Sequence, residues 1–176
     1  MKNISNFQSG LTAAVITVGL ILGGASVFAA DNDNVIIEGT VSPVNEIVVT
    51  PVEGHNALDM AAGAVNQQVA TVNEKNNDPD GYTVTLTTLN APAGNAAFLK
   101  GSDADNSQTF AYSMKYGTAG SEADVTLASG SAVVTSTSAA SIEAGAEKSL
   151  LVSFTGSSWK NADTYSDTIT LTIAAK

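Results

Sequence analysis

The sequence predicts an all-β fold built as an antiparallel sandwich or barrel, and three observations carry that expectation. Apolar and polar residues alternate with a period of two in three separate segments. Tyr82, Val84 and Leu86 alternate with Thr83, Thr85 and Thr87; Phe110, Tyr112, Met114 and Tyr116 with Thr109, Ala111, Ser113 and Lys115; Ile169, Leu171 and Ile173 with Thr168, Thr170 and Thr172. A period of two places one face on a core and the other in water. The wet positions are rich in threonine, which is β-branched and keeps strand preference while its hydroxyl meets solvent. Turn chemistry then punctuates the chain at short intervals: Ser42-Pro43, Pro51 to Asn56, Asn76 to Gly81, Asn90 to Asn95, Gly117 to Gly120, Ser129-Gly130 and Asn161 to Asp163. Many short strands divided by such turns are the pattern of a sandwich or barrel.

From the N-terminus, Lys2 precedes an apolar run from Leu11 to Gly24 that ends in small residues and Val27-Phe28-Ala29-Ala30. That is the pattern of a secretory signal peptide. Cleavage after Ala29 puts Val27 and Ala29 at the peptidase positions, so 1–29 is expected to be a leader and the chain to be exported. No later run reaches the length of a membrane span. Further strands are expected at Val35 to Val41, Glu46 to Thr50, Ala57 to Ala61, Gln67 to Asn73, Ala97 to Lys100, Val125 to Leu127, Ala132 to Thr135 and Ser149 to Phe154. Around Met60 to Val65 the alanine content allows a helical turn, while Gly63 and the shortness of the run argue against a helix. The remainder of the chain reads as one domain, 43–176, preceded by an extension, 30–42.

Composition removes several functions. The formal net charge is -10 and all seven basic residues are lysine. Nucleic-acid binding requires clustered cations to replace phosphate counterions, so that class is excluded; an acidic surface keeps an exported protein soluble by repulsion. There is no cysteine, which removes thiol nucleophiles, cysteine-ligated zinc and disulfides. His55 is the single histidine, in the loop Glu53-Gly-His-Asn, and no Gly-x-Ser-x-Gly elbow accompanies it. The chain is therefore expected not to be an enzyme and to need no cofactor. Asn76-Asn-Asp78-Pro-Asp80-Gly81 resembles the opening of a calcium loop, but its twelfth position is Thr87 where a bidentate glutamate belongs, and a β-turn with Pro79 and Gly81 explains it. Asp103-Ala-Asp105-Asn106 reads the same way. No metal site is expected.

Two segments point to binding. Trp159, in Gly156-Ser-Ser-Trp-Lys-Asn, is a possible sugar-stacking contact, whereas Tyr82, Tyr112 and Tyr116 fall on apolar strand faces and belong to the core. Val35, Ile37, Gly39 and Val41 share one face of an extended run that Pro43 ends. That run is either the domain's own first strand or a strand offered to a neighbour. Strand addition joins backbone hydrogen bonds along an open sheet edge and drops alternate side chains into a groove, and Gly39 permits close backbone approach.

Val72-Asn-Glu-Lys-Asn-Asn with Gly81-Tyr-Thr-Val-Thr-Leu, then Phe110-Ala-Tyr-Ser-Met-Lys-Tyr-Gly, and finally Ala162-Asp-Thr-Tyr-Ser-Asp-Thr-Ile-Thr-Leu-Thr-Ile resemble the spore coat protein U and archaic chaperone–usher pilin group. The resemblance implies an immunoglobulin-like sandwich that lacks one strand. It further implies a periplasmic chaperone that fills the gap, an outer-membrane usher, and identical or related subunits that complete one another by donor-strand exchange. On this chain the donor positions would be Val35, Ile37, Gly39 and Val41, and Ile169, Leu171 and Ile173 would lie on a strand of the acceptor sheet. The lack of cysteine departs from the many relatives that carry a disulfide. The expected role is a structural subunit of a surface fibre, pilus or coat in adhesion or biofilm; the alternative is a monomeric secreted module for cell-wall or matrix carbohydrate with Trp159 in its site.

Overall fold

The structure, a computed structural model, describes residues 35–91 and 94–176. The expected leader at 1–29 and the start at Ala30 lie outside the described residues. The chain divides into Met1–Gly39 and Thr40–Lys176. Of the first unit, Val35 to Gly39 carry no regular secondary structure and are exposed. The second unit holds β1 (Asn45–Pro51), β2 (Gly63–Asn76), β3 (Tyr82–Thr88), β4 (Ala97–Gly101), β5 (Thr109–Gly117), β6 (Ala123–Asp124), β7 (Ser131–Thr137), β8 (Ser141–Thr155), β9 (Tyr165–Ser166) and β10 (Ile169–Ala175). The all-β expectation holds.

Two antiparallel sheets enclose one core. The larger runs β1-β2-β8-β5-β4-β9, with β6 also on β5, and the smaller runs β10-β3-β7. Inward residues of β2 (Ala70, Val72), β5 (Phe110, Met114) and β8 (Leu150, Val152, Phe154) meet Leu86 of β3, with Ala132 and Val134 of β7 packed against them. The period-two segments form strands at the expected places because each can bury a complete apolar face. On the outer side of the small sheet Thr87 faces Thr170 and Thr85 faces Thr172, the cross-strand pairs that the threonine pattern predicts.

Three expected strands are absent. Ala57 to Ala61 belongs to turns: the Asp59 carboxylate accepts from the backbone N–H groups of Ala61 and Ala62, both at 3.0 Å, and its carbonyl accepts from Gly63 N–H at 2.8 Å. A capping aspartate satisfies this backbone locally, and alanine's weak strand preference does not compete. Val125 to Leu127 leaves the sheet after Val125 N–H bonds Met114 O at 2.9 Å, and Leu127 drops into the core; the Ser129-Gly130 turn that follows has both φ angles positive, at 52° and 77°, as a tight hairpin requires. Val35 to Val41 is not a strand here. β2 is longer than expected because bulges near Asn66 and Val69 reset its parity, which turns Val65 to solvent while keeping Ala70, Val72, Glu74 and Asn76 inward.

Glu74 joins the two sheets. Its carboxylate is fully buried; Oε1 accepts from the Tyr116 hydroxyl of β5 at 2.7 Å and from Thr135 Oγ1 of β7 at 2.8 Å, and Oε2 from the Tyr82 hydroxyl of β3 at 3.0 Å. Burial, reinforced by the Glu74 charge and hydrogen bond, raises the Tyr82 phenol from 10.0 to about 12. Burial and the Glu74 hydrogen bond raise Tyr116 as well, and burial and the Asp167 hydrogen bond raise Tyr112. A phenol that holds its proton more tightly in the native state stabilises the fold fully below its unfolded pKa and loses that contribution as pH rises through the native one. Alkaline destabilisation is thus expected to begin near pH 10 and deepen toward about 12. Ultraviolet phenolate absorbance checks it: the native curve should lag the denatured one, and coincident curves would refute the shifts.

Candidate functional site

The core is left open between the Val49–Pro51 end of β1, at the edge of the large sheet, and the Ile169–Leu171 end of β10, at the edge of the small one. Each strand is paired on one side only, β1 with β2 and β10 with β3, and among the described residues no ladder joins them. Between them lies a groove of about 200 Å³. Val49 and Pro51 form one wall, Ile169 and Leu171 the other, and Ala70, Leu150, Val152 and Phe154 contribute to the floor.

Burial follows the opening. On central strand β3 the inward Val84 and Leu86 are fully buried. On β10 the equivalent Ile169, Leu171 and Ile173 alternate correctly but are only half-buried. On β1, Val49 shares the face of half-buried Ile47 and is 43% exposed. An apolar edge with unpaired backbone groups is a template for another strand. Ile169 and Leu171 therefore stand together on that wall, and Ile173 continues the same face of β10 beyond it.

β1 and β10 run in opposite directions. Near Asn77 and Gly81, Asn77 N–H donates to Val44 O at 3.2 Å and Lys176 N–H to Gly81 O at 3.1 Å, so the start of β1 and the end of β10 share this end of the sandwich. At the other end Pro51 and Ile169 line the same groove. That end has a polar mouth, where the Tyr112 hydroxyl donates to Asp167 Oδ2 at 2.7 Å and Asn90 N–H to Oδ1 at 2.9 Å. His55 stands at this mouth, exposed, its Nδ1 2.8 Å from the Val52 carbonyl to which it donates.

Val35, Ile37 and Val41 are 87%, 92% and 84% exposed. Ile36 between them is exposed as well, so the apolar side chains of this segment are left in water on both of its faces, and Gly39 has open space where a side chain would stand. The chain matches no protein-family model and no curated protein.

The remaining candidates stand apart from the groove. Trp159 lies in the turn after β8, 93% exposed, its backbone N–H donating to Ser157 Oγ at 3.3 Å; Tyr82, Tyr112 and Tyr116 are all inward and do not share a surface with it. In the Asn76–Gly81 segment the polar side chains serve the backbone: Asn76 Oδ1 accepts from Asp78 N–H at 2.8 Å, Asp78 Oδ1 from Asp80 N–H at 2.9 Å, and Gly81 takes a φ of +88°. The second acidic loop is pinned by Asp163, which accepts from the Ser102 hydroxyl at 2.5 Å, from Asn106 Nδ2 at 2.8 Å and from Asp103 N–H at 3.1 Å. Those bonds hold its carboxyl far below the usual range. Sequence reading missed Glu74, Asn77 and Asp167. For Glu74 a signal existed: continuing the Ala70 and Val72 parity two residues further would have placed it inward.

Proposed function

We propose that this chain is an exported structural subunit of a surface fibre or coat, whose N-terminal segment Val35 to Val41 completes the groove between β1 and β10 of another copy. The observation that carries the reading is the open apolar groove between two unpaired, opposed strand edges, in a chain that also leaves alternating Val35, Ile37 and Val41 in solvent. A strand seated there would complete an immunoglobulin-like sandwich. Burying three such side chains contributes on the order of 5 to 8 kcal/mol before ordering costs, and the new ladder satisfies backbone groups on both edges. Until that strand arrives the subunit needs a substitute, which is the role of a periplasmic chaperone, with an outer-membrane usher as the site of exchange. Adhesion or biofilm formation is the setting this chemistry suits.

Deleting Asn34 to Ser42 is expected to abolish polymers that survive detergent without boiling, while a subunit held by its chaperone still forms. Normal fibres from the deleted chain, seen by electron microscopy of expressing cells, would overturn the proposal.

A further inference from the structure

The donated segment has two grooves within reach in principle, its neighbour's and its own, and the root of the segment carries a device that bears on the choice. Ser42-Pro43 reads in the sequence as a turn. A turn there would fold Val41 and the residues before it back along the free edge of β1, into the chain's own groove. The structure has neither turn nor bend at 42–44. Instead the Asn77 amide acts as a surrogate strand: Oδ1 accepts from Val44 N–H at 2.7 Å, Nδ2 donates to Ser42 O at 2.8 Å, and Asn77 N–H bonds Val44 O at 3.2 Å. These bonds continue the β1–β2 ladder beyond its last backbone pair, Asn45 with Asn76. Pro43, which has no N–H, sits between the two bonded residues where no donor is needed. The chain at Ser42 is thus held in line with β1, at the end of the sandwich opposite the groove's polar mouth.

We infer that Asn77 is a specificity-determining residue for assembly: by clamping Ser42 and Val44 it directs the N-terminal segment to a second copy of this chain and disfavours self-insertion. This inference rests on the strand-exchange proposal above. The two destinations differ in direction. Because β1 and β10 are opposed, a segment folded back at 42–44 runs parallel to β10 and brings Val35 beside Ile169. A segment arriving from a copy at the mouth end runs antiparallel to β10, with Val41 near Ile169 and Val35 near Ala175. Because β1 and β10 are opposed, either direction makes one antiparallel and one parallel ladder, so the pairing does not choose between the destinations and the clamp does.

The cysteine-free chain makes this testable with one engineered pair. Val35→Cys with Ile169→Cys, in the full chain expressed in cells that assemble it, can close a disulfide within one monomer only after fold-back. With Asn77 intact the chain should run as polymer with little cross-linked monomer. Asn77→Asp keeps the acceptor for Val44 N–H but opposes a carboxylate to Ser42 O, and Asn77→Ala removes both bonds. Asn77→Asp should raise the ratio of cross-linked monomer to polymer by about fivefold to tenfold, the effect of one net hydrogen bond on an equilibrium, and Asn77→Ala, which loses two, by more. Unchanged polymer without cross-linked monomer in both variants would overturn the inference. So would loss of polymer without the intramolecular disulfide, since Asn77 would then be serving the fold alone. Persistence of polymer in the Asn34 to Ser42 deletion is the separate result that sinks strand exchange itself.

Discussion

Glu74→Ala is expected to cost the subunit about 4 kcal/mol or more, a large share of the roughly 5 to 15 kcal/mol that holds a domain together. The substitution strands the hydroxyls of Tyr82, Tyr116 and Thr135 in the core, each unsatisfied group costing about 1 to 3 kcal/mol, and it opens a void where the side chain lay. The effect is sharpened because the three donors come from both sheets, so the carboxylate ties the small sheet to the large one. Glu74→Gln should be far milder, about 1 kcal/mol, because a phenol oxygen can accept from the amide as readily as it donates to the carboxylate. Urea unfolding of the purified chain separates the two. Equal losses from alanine and glutamine would mean that charge, and not the filled hydrogen-bond set, holds the site.

The second large effect is on assembly. Leu171→Asp should abolish polymer, with at least a hundredfold loss, while leaving the isolated subunit folded. In the open groove Leu171 is half-buried, so a carboxylate there still reaches water. Once a donor strand closes over it, the charge is removed from water without a partner, which costs several kcal/mol. Thr170→Asp is the control: Thr170 is exposed on the opposite face of the same strand and should assemble as the unaltered chain does. Polymer yield on unboiled gels reads both. Normal assembly of Leu171→Asp would remove the groove from the mechanism, and equal failure of Thr170→Asp would indicate damage to β10 as a whole.

What the residues disclose in advance depends on how local the cause is. Period-two alternation located β3, β5 and β10 because each element decides its own faces. It failed at Ala57 to Ala61, where one aspartate captured the backbone into a turn, and it shortened β2 to Gln67–Asn73 because Glu74 breaks an apolar pattern unless its three hydroxyl partners are known. Those partners lie at 82, 116 and 135, and no local window contains them.

The same division runs through the candidate site. An all-β chain without cysteine or arginine, and a Val35, Ile37, Val41 face with the spacing of a strand, are legible from residues close together in the chain. That β1 and β10 are opposed edges with a groove between them, that Ile169 and Leu171 form one of its walls, and that Asn77 holds the root of the N-terminal segment in line with β1 emerge only once the strands are paired. The physical reason is that strand faces follow from neighbours two residues apart, whereas an unfilled edge is a property of which strands pair, and pairing is settled by burial across the whole chain.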